Sequence, residues 1–123
     1  MSLDAFEFRA AKGKPEVGLG LVVKVPQGTD DKRILMHIIA SQLEFPHYFG
    51  FNWDALEECL GDLSWIQQPL VCMSHDDVPL SSHPEEARRY LKVLDSVVRN
   101  PGSVEIRVSF PETALQEIQT LLY

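Results

Sequence analysis

Three carboxylates stand close together at Asp54, Glu57 and Glu58, directly after a run that holds Tyr48, Phe49, Phe51 and Trp53 within six residues. Side chains three and four positions apart share one face of a helix. Such a row could receive basic side chains, arginine pairing with a carboxylate bidentately. With a histidine in hydrogen-bond reach it could instead run acid/base chemistry. The charge pattern favours the first use. No Lys or Arg occurs between Arg33 and Arg88, an interval that contains Glu44, Asp54, Glu57, Glu58, Asp62, Asp76, Asp77, Glu85 and Glu86. Outside it nine acids face eleven bases, so the formal net charge of -7 is concentrated in the middle of the chain. This balance argues against direct binding of nucleic acid or of an anionic membrane. It argues for a basic protein partner whose approach is steered electrostatically.

Asn52 is a suitable N-cap for a helix over 53–60, with Gly61 ending it. On a wheel of about 100° per residue, Asp54, Glu57, Glu58 and Gly61 gather on one side. Ala55, Leu56, Cys59 and Leu60 fall on the other, with Trp53 at its edge. A surface helix with acids suiting its dipole accounts for the carboxylates without any function. Three further features point beyond that account. No nearby Lys or Arg in the sequence neutralises the acids. Like charges one turn apart cost a few tenths of a kcal/mol each. The preceding loop carries more aromatic surface than one loop readily buries, and aromatics beside uncompensated charge are the composition of an interface hot spot.

The rest of the chain reads as the frame for this segment. Residues 20–25, GLVVKV, form a buried strand ended by Pro26 and Gly28. Thr29 is placed to cap a helix with Asp30 and Asp31 in its first turn and Ile34, Leu35, Ile38 and Ile39 on its apolar face. Pro46 stops that helix near Leu43 or Glu44. Pro69 opens a second buried strand, PLVCMS, followed by a turn-rich DDVPLSSHPE. Pro84 suits the first turn of a long helix over 85–98, with Ala87, Tyr90, Leu91, Leu94, Val97 and Val98 facing the core. Asn100, Pro101 and Gly102 break it before a third, alternating strand over 103–110. Residues 111–122 look helical. The opening residues up to Leu19, with Gly13, Pro15 and Gly18, read as a loose arm or an extra edge strand. Strands separated by helices imply parallel pairing with right-handed crossovers. The expectation is a small α/β fold: a three-stranded parallel sheet flanked by helices, with an added N-terminal arm and C-terminal helix, in a single domain over 1–123.

The segment FPHYFGFNWDALEECL, residues 45–60, closely resembles the barstar family of ribonuclease inhibitors. The family motif runs Pro, aromatic pair, Gly, Asn, Asp-Ala-Leu, acidic residue, Cys-Leu. A weaker match continues through Trp65 and Pro69 to Val71. The resemblance implies a bacterial, barstar-like inhibitor with no catalysis of its own. Its partner would be a basic, extracellular-type ribonuclease or a related toxin, whose active site the loop and acidic helix plug. Asp54 and Glu58 match carboxylates that occupy phosphate subsites of the enzyme, Tyr48 a loop aromatic near the catalytic histidine, and Gly50 a position of close backbone approach. Asn52 and Trp53 match loop-end contacts, and Trp65 a rim aromatic. Three positions depart from the pattern. Glu57 stands for a bulky aromatic, Glu58 is one methylene longer than the usual Asp, and Phe49 lacks the hydroxyl of the usual Tyr. A second acidic contact of the family, on the long helix, goes unmatched here, Asp95 or Ser96 falling nearest. Two other readings keep the same residues in view: a barstar-like module for a different basic protein, and a small acid/base enzyme.

Cys59 and Cys72 lie in apolar surroundings and read as reduced core residues. The first residues lack a signal-peptide pattern, and no apolar run approaches the roughly 20 residues of a membrane span, so a cytoplasmic protein is expected. His75, Asp76 and Asp77 match no metal-ligand spacing and read as a solvated turn. His37 reads as a packed or surface residue. His47 lies in the candidate interface, where it could tune binding with pH. No P-loop, CxxC or dinucleotide glycine pattern is present, and no cofactor or metal is expected.

Overall fold

A computed structural model describes residues 3–10 and 20–123. Its elements run β1 (Phe6–Arg9), β2 (Leu21–Val25), α1 (Lys32–Gln42), α2 (Trp53–Asp62), β3 (Leu70–His75), α3 (Pro84–Arg99), β4 (Glu105–Pro111), a short 3-10 turn (Glu112–Ala114) and α4 (Leu115–Leu122). The sheet has four parallel strands in the order β1-β4-β3-β2, not three. The extra strand comes from the opening residues. Phe6 and Phe8 alternate there with Glu7 and Arg9, and β1 pairs with β4 from Phe6 opposite Val108 to Arg9 opposite Pro111. Gly13, Pro15 and Gly18 lie outside the described residues.

Residues in register across a sheet share a face. Phe6, Val108, Met73 and Val23 form one such row across all four strands, and each is buried. Lys24 and Glu105, on the opposite face, are exposed, as are Glu7 and Arg107. The buried rows join Leu35, Met36 and Ile39 of α1, Leu56 and Leu60 of α2, Tyr90, Leu91 and Leu94 of α3, and Ile118 of α4 in one core. In α1 the expected face is rotated. Ile34 is 56% exposed, while Met36 is fully buried. Asp31, not Thr29, caps this helix, its side chain accepting from the Ile34 N–H at 3.0 Å.

Gly61 does not end α2. The helix continues to Asp62 and stops at Leu63, a buried residue with φ 46° whose N–H returns to the Cys59 carbonyl. Left-handed backbone costs a non-glycine residue roughly 1–2 kcal/mol, and full burial of the leucine side chain offsets it. The glycine needed here lies elsewhere in the chain. A Cβ on Gly102, in the turn between α3 and β4, would stand 1.7 Å from the Gly61 carbonyl oxygen. Gly102 is thus where the α3–β4 turn meets the end of α2, backbone against backbone.

His75 is also not in a solvated turn. It is the last residue of β3 and fully buried, stacked on Phe110 with ring centroids 4.3 Å apart. Its Nδ1 lies 3.0 Å from the Ser109 carbonyl and its Nε2 2.7 Å from the Tyr90 hydroxyl. A carbonyl only accepts, so Nδ1 carries the proton and Nε2 accepts from Tyr90. Burial pulls the imidazole down to about 4 and pushes the Tyr90 phenol up.

Two predictions follow from these contacts. The unfolded chain protonates His75 near pH 6.5, and the folded chain does so only near 4. The contribution of neutral His75 is therefore complete above about 6.5 and is lost as pH falls towards 4, a change of roughly 3 kcal/mol. Urea titrations across that window should show the loss, and imidazole NMR should keep His75 in the Nδ1–H form down to about pH 4–5. Gly102→Ala should lower stability by about 1–3 kcal/mol, because backbone must move to admit the methyl group. Gly61→Ala, whose Cβ would meet nothing within 4 Å, should be neutral or stabilising by up to about 1 kcal/mol. Thermal melts should therefore show a lowered midpoint for Gly102→Ala and an unchanged or raised one for Gly61→Ala.

Candidate functional site

The aromatic loop turns through two residues in left-handed conformation, Glu44 at φ 52° and Phe51 at φ 52°. Asn52 then begins α2, its Oδ1 accepting from the Ala55 N–H at 2.8 Å. A Cβ on Gly50 would come within 3.2 Å of the Asn52 side-chain nitrogen, so a glycine keeps the cap unobstructed.

The four aromatics separate. Tyr48 is 73% exposed, Phe51 is half-buried, and Phe49 and Trp53 are buried at 7% and 8%. Phe49 packs between Phe45 and Phe51, at 5.0 and 4.8 Å between ring centroids. Trp53 fastens α2. Its Nε1 donates to Glu86 Oε2 at 2.8 Å, its ring lies 6.1 Å from that of Tyr90, and Lys32 Nζ lies over it at 5.9 Å. Trp65 is half-buried. It donates from Nε1 to the Leu43 carbonyl at 2.8 Å and meets Phe45 edge to face.

Asp54, Glu57 and Glu58 are exposed on the outer side of α2, as the wheel requires, and Leu56, Cys59 and Leu60 are buried beneath them. With Gly61 the three acids line a shallow groove of about 320 Å³. Among the described residues none of the three forms an ion pair with a cation. The bases of α1 are engaged elsewhere: Lys32 lies 3.9 Å from Glu86, and the Arg33 guanidinium lies over the Phe51 ring at 4.7 Å. Glu57 accepts from the Ser96 hydroxyl of α3 at 3.2 Å. Asp95, the alternative position on that helix, pairs with Arg99 at 2.9 Å.

Tyr48, Gly50, Asn52, Asp54, Glu57 and Glu58 are exposed on one continuous stretch of chain. Trp65 does not line the acidic groove. It belongs to another depression, with Leu21, Gln42 and Glu44. The histidines are not arranged for acid/base work with these acids. His37 packs on Phe51, His47 on Tyr48, His75 is buried, and His83 acts on Asp30, and among the described residues no histidine forms an ion pair with Asp54, Glu57 or Glu58. Nor do the described residues hold a group of three or more metal-ligating side chains. No described helix is long and apolar enough to cross a membrane.

The links from Ser96 to Glu57 and from Glu86 to Trp53 were not legible in the sequence. The partners are 39 and 33 residues apart, and only the packing of α3 on α2 joins them.

A family model described as Barstar (barnase inhibitor) matches residues 22–110. No curated protein and no solved structure matches the chain at a significant level. The family match runs from β2 through β4 and takes in the whole aromatic loop and α2. It covers well over half of the sequence, and the chain belongs to the Barstar family.

Proposed function

We propose that this chain acts as a single-domain, stoichiometric inhibitor of a basic ribonuclease or related nuclease toxin, plugging the enzyme's active site with α2 and the loop before it. The observation that carries this reading is the row Asp54, Glu57 and Glu58. These acids are exposed on a helix whose underside is packed through Leu56, Cys59 and Leu60, and no cation of the described residues pairs with them. A substrate's backbone phosphates present repeated negative charge to a nuclease groove. Carboxylates one helical turn apart offer the same sign of charge to the same basic side chains, already held in place. Family membership supports the same target.

Within that reading Asp54 and Glu58 meet the enzyme's basic groups, and Glu57 adds a third carboxylate, steadied by Ser96. Tyr48 supplies the exposed aromatic contact. Gly50 and Asn52 bring the loop backbone close to the partner. Phe49 and Trp53, both buried, act by shaping the loop from beneath. Trp65 contributes a half-exposed ring beyond the loop.

One observation favours a second reading, a barstar-like module that binds a different basic protein. Glu57, exposed and acidic, stands where the family pattern has a bulky aromatic, so the groove differs in charge and shape from the one a typical family partner would meet.

Calorimetric titration against a panel of basic ribonucleases, at low and high salt, tests the first reading. Tight binding that weakens with salt is expected. Asp54→Ala and Glu58→Ala should each lose at least tenfold in affinity, about 1.4 kcal/mol or more. Unchanged affinity in both variants would sink the assignment of the site. If no ribonuclease binds, an affinity pull-down comparing the native chain with Glu58→Lys separates the readings: a basic non-nuclease protein captured only by the native chain supports the second.

A further inference from the structure

Among the described residues, β2 stands at one edge of the sheet and pairs only with β3. In a parallel strand the N–H and C=O of alternate residues point to the same side. The Val25 carbonyl accepts from the Asp76 N–H, on the β3 side. Leu21, Val23 and Val25 therefore bond inward, while Val22, Lys24 and Pro26 turn their backbone groups to the open edge. An unpaired edge of this kind is a template for a strand of another chain.

Side chains occupy that template. The Lys24 N–H donates to Gln42 Oε1 at 2.9 Å, and the Lys24 C=O accepts from Gln42 Nε2 at 2.8 Å. One carboxamide thus offers an acceptor and a donor side by side, as the peptide groups of a neighbouring strand would. The next outward residue, Pro26, has no N–H, and its carbonyl accepts from Thr29 Oγ1 at 2.8 Å. Gln42 is the last residue of α1, and its Nε2 also reaches the Ile38 carbonyl at 3.1 Å, so the carboxamide is held by the helix itself. The exposed Lys24 side chain adds a charge of the kind that discourages edge pairing.

We propose that Gln42 is an edge plug: its carboxamide fills the strand-pairing position at Lys24 and prevents β2 from pairing with β2 of a second copy of this chain. The second copy is the relevant occupant because two β2 edges related by a two-fold axis present the same backbone groups to one another, antiparallel and self-complementary. Among the described residues of β2, Val22 alone faces outward beyond the reach of Gln42 and Thr29, too little for a ladder. This surface is separate from the acidic helix, so the inference does not depend on the identity of the basic partner.

Sedimentation velocity over a range of concentrations, with amide hydrogen exchange, tests it. The native chain should sediment independently of concentration. Gln42→Ala should associate as concentration rises, and in dilute solution its Lys24 amide should exchange roughly five- to tenfold faster. Adding Lys24→Pro should restore the native sedimentation, because proline removes the outward N–H and is tolerated on edge strands. Should Gln42→Ala lose its circular dichroism signature, Gln42→Met carries the same expectation, since it keeps length and helix propensity but cannot form the pair of hydrogen bonds. Unchanged sedimentation of the folded variant overturns the proposal whatever the exchange rate. So does association that Lys24→Pro fails to reverse, which would run through a different surface.

Discussion

The indole of Trp53 fastens the acidic helix to its neighbours. Its N–H is bonded to Glu86 of α3, Lys32 of α1 lies over its face, and Tyr90 lies against it. A helix whose outer face bears Asp54, Glu57, Glu58 and Asp62 gains little from attraction along that face, where the Ser96 hydroxyl bonded to Glu57 is a single neutral donor. Its hold on the molecule therefore comes from beneath, from Leu56, Cys59 and Leu60, and from this junction at its first residue. At the other end the α3–β4 turn closes against the Gly61 carbonyl through Gly102. With both ends fixed, the carboxylates keep their spacing without a counter-ion from the described residues to arrange them.

A second junction serves the sheet in the same way. His75 joins the end of β3 to β4 through Ser109 and to α3 through Tyr90, and every polar atom of its ring has a partner. Arg9 donates to the His75 carbonyl and to Ser109 Oγ, which ties β1 to the same place. The acidic face of α2 and the polar centre of the core thus lean on one helix, α3. From it, Glu86 and Ser96 reach α2, while Tyr90 reaches both Trp53 and His75.

Much of this was legible in the sequence, because local rules carried it. The acidic and apolar faces of α2 followed from helical spacing, its start from Asn52, and α3 from Pro84 and its apolar repeat. Less legible were features fixed by residues distant in the chain. β1 is only four residues long and becomes a strand by pairing with β4. Gly61 carried the usual signal of a helix end, yet the end lies at Leu63, where burial of a leucine outweighs backbone preference. His75 beside two aspartates had the composition of a turn, but register with Val25 of β2 and stacking on Phe110 place it in the core. In the loop, composition indicated more aromatic surface than could all be buried, without saying which rings stay outside. Mutual packing of Phe45, Phe49 and Phe51 buries Phe49 and leaves Tyr48 outermost.

The separation of the two sides of α2 bears on how such a chain can diversify. Residues that fold the helix and residues that face outward do not overlap: Leu56, Cys59 and Leu60 do the former, Asp54, Glu57 and Glu58 the latter. Substitutions on the outer row leave no cavity and orphan no buried charge, the two faults that most often make a mutation lethal to a fold. Relieving like-charge repulsion there even favours the helix slightly. A lineage could therefore exchange one partner for another through point changes in a single helical turn, with its stability reserve intact at each step.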